Sequence, residues 1–241
     1  MTTIFHPSEE RGHANHGWLD THHSFSFASW YNPEKVHFGA LRVLNDDTVA
    51  IGEGFGTHPH ENMEIVSIPL QGILSHRDST GSKGLVRAGE VQVMSAGTGI
   101  THSEFSDPSS TEDAKFFQIW IYPNKENVAP RYDQRKFNEA DRQGKWQILV
   151  SPKPKDNALW LHQETVISRV DLKADASIAY NNHFKEHGVY IFVVEGSIEI
   201  NGQKLNKRDG LGISETESFD IKVTSNSDVL AIEVPMYKVT A

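Results

Sequence analysis

Apolar residues along the chain come in short runs, many of them alternating with polar positions and broken by Gly, Pro, Asn or Asp. That spacing predicts strands, because an amphipathic helix repeats its apolar face every three to four residues over a longer stretch. Strands are expected over Val36–Asn45, Glu64–Leu70, Gly72–His76, Glu90–Ala96 and Phe116–Tyr122. The following stretch, Pro123–Lys145, is dense in charged and amide residues and reads as a connector, with room for a turn or two of helix at Asn138–Gln143. A second series then runs through Trp146–Val150, Ala158–His162, Val166–Leu172, Val189–Glu195, Ser197–Leu205, Phe219–Val223 and Val229–Val234. Asn201-Gly202 interrupts the fifth of these with a hairpin signal, since both residues tolerate φ > 0. Two such series predict an all-β chain of two tandem β-barrels of the jelly-roll kind with few short helices. The expected division is 1–125, a connector at 126–145, and 146–241.

Composition narrows the chemistry. A chain of 241 residues can bury a sizeable core in one large or two small domains. With no cysteine there is no disulfide, thiolate metal site or cysteine nucleophile. The 32 acidic against 23 basic residues, a formal charge of −9, disfavour direct nucleic-acid binding and docking on an anionic membrane. Met1–Gly12 lacks the apolar run of a signal peptide, and no stretch approaches the roughly 18–20 apolar residues of a membrane span, so the cytoplasm is the expected compartment. The anomaly is 13 histidines, because neutral imidazole is the commonest metal ligand.

Two pairs stand out. Gly52-Glu-Gly-Phe-Gly-Thr-His58-Pro-His60 places two imidazoles two residues apart, hence on one face of an extended segment. After the glycine-bounded run Gly89–Gly97, Thr98-Gly-Ile-Thr-His102-Ser-Glu104 repeats the spacing with His102 and Glu104. If the two segments are neighbours, three imidazoles and a carboxylate converge on a site suited to Fe(II), Mn(II), Co(II), Ni(II), Cu(II) or Zn(II). Four protein ligands leave two octahedral positions open, as a catalytic site requires.

These residues carry a family resemblance. Gly52…His58-Pro-His60…Glu64, followed by Gly72, resembles the first cupin motif, and Gly89…Gly97…His102 the second, with Ser95 where many cupins have proline. The combination His-Pro-His-x3-Glu with Gly-x-Gly-Ile-x-His-x-Glu is similar to the pirin family. His23-Ser-Phe-Ser-Phe27 and Gly39-Ala-Leu-Arg-Val-Leu44 are similar to its bacterial branch. The resemblance spans essentially the whole chain. It implies a bicupin fold and one divalent transition metal, Fe(II) first, held by His58, His60, His102 and Glu104. Glu64 stands where other cupins often place a ligand, but the pirin pattern uses the later Glu, so Glu64 is expected to play a structural or supporting role near the metal. Two functions are implied. One is quercetin 2,3-dioxygenase activity on a flavonol-like substrate with O2, releasing carbon monoxide, with Glu104 as acceptor of the substrate hydroxyl proton. The other is a metal-switched regulatory protein that binds a protein partner.

Setting Gly196 against Gly72 places Asn182 and Phe184 opposite His58 and His60, and no histidine follows His187. The second barrel is therefore expected to lack a metal site. His183-Phe-Lys-Glu-His187 matches an inverted zinc-protease string but leaves no room for the helix that chemistry needs, and reads as a solvated loop. Sequential His22 and His23 should face opposite ways, in packing or surface roles. His6, His13, His16, His37, His76 and His162 read as surface or capping residues. Phe25, Phe27, Trp30 and Tyr31 read as core plus a domain contact.

Overall fold

The computed structural model describes residues 1–154 and 157–236; the last positions of the expected second domain, 237–241, lie outside them. Among the described residues the fold is almost entirely β, with two short 3-10 turns, Ser8–Glu10 and Glu139–Arg142. None has a helix long and apolar enough to cross a membrane.

The strands form two barrels, each a seven-stranded sheet facing a four-stranded one. In the first barrel the large sheet is ordered Arg131–Lys136, Glu90–Ser95, Glu64–Gln71, Ala114–Ile121, Leu41–Val49, Leu19–His23, Gly12–Asn15. Its small sheet is Gly54–His60, Ile100–Ser106, Ile73–Asp78, Lys83–Arg87. In the second barrel the large sheet is Thr2–His6, Gly210–Ser214, His187–Glu195, Ser227–Pro235, Val166–Leu172, Gln147–Ser151, Leu159–Trp160. Its small sheet is Ser177–Asn181, Ser218–Val223, Ser197–Ile200, Gln203–Asn206. The bicupin expectation holds.

The long apolar runs have a simple cause: the large sheets are buried on both faces. In His187–Glu195, Val189, Ile191 and Val193 fill the second barrel, while Tyr190, Phe192 and Val194 join a core shared with the first. Across that shared core Phe117 meets Phe192 edge-to-face at 5.4 Å. The second barrel's interior is apolar throughout its main cluster. The first barrel's interior is not: two apolar clusters, one with Leu19, Leu74 and Phe116, the other with Ile65, Met94 and Ile100, leave a polar centre.

Several sequence expectations need correction. Residues 36–40 precede the strand, which is Leu41–Val49; Gly39 there adopts φ +51 against the Pro235 carbonyl, and a Cβ would approach that oxygen to 2.4 Å. The stretch expected as a connector, 126–145, is not a free linker. Arg131–Lys136 pairs with Glu90–Ser95 as an edge strand, a half-buried polar position that apolar patterning does not reveal. Thr2–His6 crosses the expected boundary and pairs with Gly210–Ser214, which buries His6 against the Tyr190 hydroxyl at 2.9 Å. Tyr31 is 72% exposed and takes no part in the core. The 3-10 turn at Glu139–Arg142 is capped by the Asn138 side chain, and Ile200 pairs with Gln203 across the Asn201-Gly202 turn at φ 48 and 82. Residues 183–186 form no helix, but they are not merely solvated. His183 and Phe184 donate their backbone amides to the fully buried Glu233, which also accepts from the Tyr180 hydroxyl.

Candidate metal centre

The two histidine segments are adjacent strands. His102 pairs directly with His58, and Ile100 with His60, in the Gly54–His60/Ile100–Ser106 ladder. A register shift between His102 and Glu104 then inserts an extra residue on the His58 strand. Such a bulge re-aims side chains while keeping the strands together. Gly54 permits the close approach: a Cβ there would lie 2.3 Å from the Glu104 carbonyl oxygen.

The imidazole rings of His58, His60 and His102 lie 4.4–4.9 Å apart, and one donor atom from each falls within 4.8 Å of the other two. His58 Nδ1 donates to the Gly56 carbonyl at 2.8 Å, which leaves Nε2 as the bare lone pair. His102 is 2% exposed with neither ring nitrogen hydrogen-bonded. A buried imidazole without partners is costly, and a metal ion would satisfy it. Burial, reinforced by the neighbouring imidazoles, pushes His60 down to about 4 and His102 down to about 3, so both stay neutral and able to ligate. The donor set fits a divalent transition metal.

Glu104 lies deeper in the barrel, where its carboxylate clusters with His102 and His76. Gln92 Nε2 donates to its Oε1 at 2.9 Å and Gln118 Nε2 to its Oε2 at 2.7 Å, fixing the carboxylate from two strands of the large sheet. Its oxygens and His102 also converge on His76, one donor atom of each lying within 4.8 Å. His76 is thus not the surface residue its sequence context suggests. It pairs with Glu104 across the sheet, donates from Nε2 to Asp78 at 2.9 Å, and stacks on Tyr132 at 4.5 Å. Tyr132 comes from the strand hidden in the supposed connector.

Of the two roles expected for Glu64, the structure shows the structural one. On its strand Ile65 lines the cavity and Ser67 reaches Glu104, so Glu64 points the opposite way, to the face shared with the second barrel. There it accepts from Ser95 Oγ at 2.7 Å. It faces away from His58, His60, His102 and Glu104.

In front of the histidines lies a cavity of about 250 Å³. Phe27, Trp30, Phe55 and Trp120 supply aromatic walls, and Trp120 Nε1 is buried without a partner. Opposite, Val43, Asn45 and Asp47 alternate with outward residues on one strand, which brings Asn45 and Asp47 inward. His23 donates to Asn45 Oδ1 at 2.9 Å, and Thr21 donates to Asp47. Burial pushes the Asp47 carboxyl up to about 7. Polar Asn45-Asp46-Asp47 within an apolar strand was the available sequence signal for this wall. Among the described residues, no candidate metal-donor cluster falls in the second half of the chain.

Comparison with known proteins gives the same frame. The family model described as Pirin matches residues 4–121, and that of a quercetinase C-terminal cupin domain matches 148–234. A quercetin 2,3-dioxygenase of Escherichia coli strain K12 is 47% identical over 228 residues, covering 95% of this chain and 96% of that protein. A pirin-like protein of Caulobacter vibrioides is 39% identical over 229 residues, 94% of this chain and 97% of that one. The crystal structure of the bacterial pirin YhhW from Escherichia coli in complex with nickel(II) superposes with TM-score 0.91 at 44% identity, covering 98% of this chain and 100% of that one.

Proposed function

This chain belongs to the pirin family, and we propose that it is a metal-dependent dioxygenase of the quercetin 2,3-dioxygenase type, opening a flavonol-like ring with O2 and releasing carbon monoxide. The observation that carries this reading is a cavity walled by aromatic rings with His58, His60, His102 and Glu104 in its lining. At about 250 Å³ it is near the small end of ligand pockets and suits one flat aromatic molecule. Chemistry directed into a cavity favours this reading over a metal-switched surface for a protein partner. The relatives carrying the quercetin 2,3-dioxygenase name support the substrate class.

The proposed ligands are His58, His60, His102 and Glu104, with Fe(II) as the native ion and Ni, Mn, Co, Cu or Zn able to occupy the same donors. When bound, the ion supplies Lewis acidity toward the substrate 3-hydroxyl and a redox partner for O2. The chain's own residues do the rest. Gly56 holds the His58 tautomer. Gln92 and Gln118 hold Glu104 in place to accept the hydroxyl proton. Asp47 keeps its own proton to near neutrality and offers it as a hydrogen bond to a substrate oxygen, as does the Trp120 indole N–H. Phe27 and Trp30 exclude water from the reacting face.

Quercetin incubated under air with metal-loaded protein should lose its flavonol absorbance and yield carbon monoxide. His102→Ala should lower metal affinity by more than ~100-fold and abolish turnover. No flavonol loss with Fe, Mn, Co, Ni or Cu would end the proposal.

A further inference from the structure

A second set of metal-donor side chains sits at the cavity's edge: Asp20 and His22 behind its wall, and His13, which also lines the cavity, on the neighbouring strand. In the Leu19–His23 strand, Leu19, Thr21 and His23 turn inward and are buried, while Asp20 and His22 turn outward. The edge strand Gly12–Asn15 pairs with it antiparallel, with His13 directly opposite His22. Residues opposite one another across strands are neighbours, and residues two apart on one strand share a face. Three side chains therefore meet. The rings of His13 and His22 stack at 4.3 Å and 17°. His13 Nε2 donates to Asp20 Oδ1 at 2.7 Å, and His22 Nδ1 lies 3.9 Å from the same oxygen. One donor atom from each falls within 4.8 Å of the other two.

The surroundings suit a cation. The three side chains are 52%, 45% and 36% exposed, so an ion can enter without opening the fold and water can complete its coordination. Burial and the nearby Arg11 hold the His22 imidazole below its ordinary range. Arg11 is itself paired with Asp46 at 3.4 Å, which offsets its repulsion of a bound cation.

We propose that His13, Asp20 and His22 form a second divalent-metal site, of the zinc class, that staples the edge strand to the cavity wall. Two imidazole nitrogens and a carboxylate oxygen, with water as the fourth ligand, match the ordinary tetrahedral zinc set. On binding, His13 carries its proton on Nδ1, so that Nε2 turns its lone pair to the ion in place of the hydrogen bond to Asp20. The ion cross-links the strand that delivers Thr21 and His23 to the cavity, and it stabilises the folded chain by mass action. The site shares no ligand with the inner centre and does not rest on the dioxygenase reading.

Zinc(II) titration by calorimetry of the full chain stripped of metal tests it, alongside His102→Ala, the double variant His102→Ala/His22→Ala, and His102→Ala/His22→Gln. His102→Ala should retain one zinc equivalent and gain thermal stability with zinc. Both double variants should lose that equivalent and the stabilisation while keeping the strand content of the parent by circular dichroism. A His102→Ala chain that takes up no zinc, or a folded double variant that takes up as much, would overturn the site. Equal uptake by wild type and His102→Ala would instead count against the inner centre, so the two sites fail separately.

Discussion

Glu64 and Ile65 are neighbours in the chain but face opposite sides of one sheet, and that alone separates their roles. The Gly52–Glu64 motif makes Glu64 look like part of the metal surroundings, because spacing fixes which residues share a face but not which face looks inward. In the fold it is 1% exposed, between the barrels. Burial pushes its carboxyl up to about 7, against the downward pull of the Ser95 hydroxyl, the His162 amide and Arg131. A carboxyl raised on folding keeps a proton that the unfolded chain releases. Its contribution is therefore most favourable below the ordinary Glu range and is lost as pH rises to about 7. Glu64→Gln should flatten that slope and stabilise the protein at pH 8 relative to pH 4 by roughly 3 kcal/mol, read from urea midpoints at the two pH values. Metal affinity should stay unchanged, whereas a residue bracing a ligand would cost ~10–100-fold. His76 is the converse. Its side chain looked superficial in sequence, yet it lies behind His102 and Glu104, because its partner Tyr132 comes from a distant strand whose polar residues hide it.

At the scale of the element, the pairing of His58 with His60 and of His102 with Glu104 was legible because each pair is local: two residues apart on one strand, after a glycine turn. What holds them was not. The register shift at Glu104, the amides of Gln92 and Gln118, and the inward face of Asn45 and Asp47 depend on pairings between strands far apart in sequence. Gly54 shows how much the site relies on one such pairing. An added methyl would meet the Glu104 carbonyl at 2.3 Å and the Phe105 Cα at 2.5 Å, both backbone atoms that cannot swing aside. Gly54→Ala should pry the two ligand strands apart, costing about 1–3 kcal/mol of stability. It should also weaken metal binding about tenfold or more, because His58 and His60 ride on the displaced strand while His102 and Glu104 ride on the other. Calorimetric metal titration of the folded variant checks this; unaltered affinity would mean that the ladder does not set the ligand spacing.

Over the whole molecule, two barrels were legible from two strand series. Their docking was not, because a run such as Val189–Val194 says that a strand is buried on both sides without saying against what. The structure puts the large sheets against each other, so the largest apolar cluster belongs to neither barrel alone: Leu44, Val66 and Phe117 enter it from one, Tyr190, Phe192 and Leu230 from the other. Polar ties reinforce it. Arg208 of the second barrel reaches Asp46 of the first at 2.8 Å, and Arg131 lies 4.0 Å over the Trp160 ring. Thr2–His6, from the start of the chain, completes the far sheet. Neither barrel can then unfold without exposing the other's large sheet, and the protein should melt as one cooperative unit. Phe117→Ala tests this directly. It empties a 1%-exposed position at the shared core and should cost ~3–5 kcal/mol. Because Phe117 packs on Phe192, that loss falls on both barrels, so the calorimetric peak should move down in temperature and stay single. Separation into two peaks, with the second near the wild-type position, would show that the barrels are independent and that the shared core does not couple them.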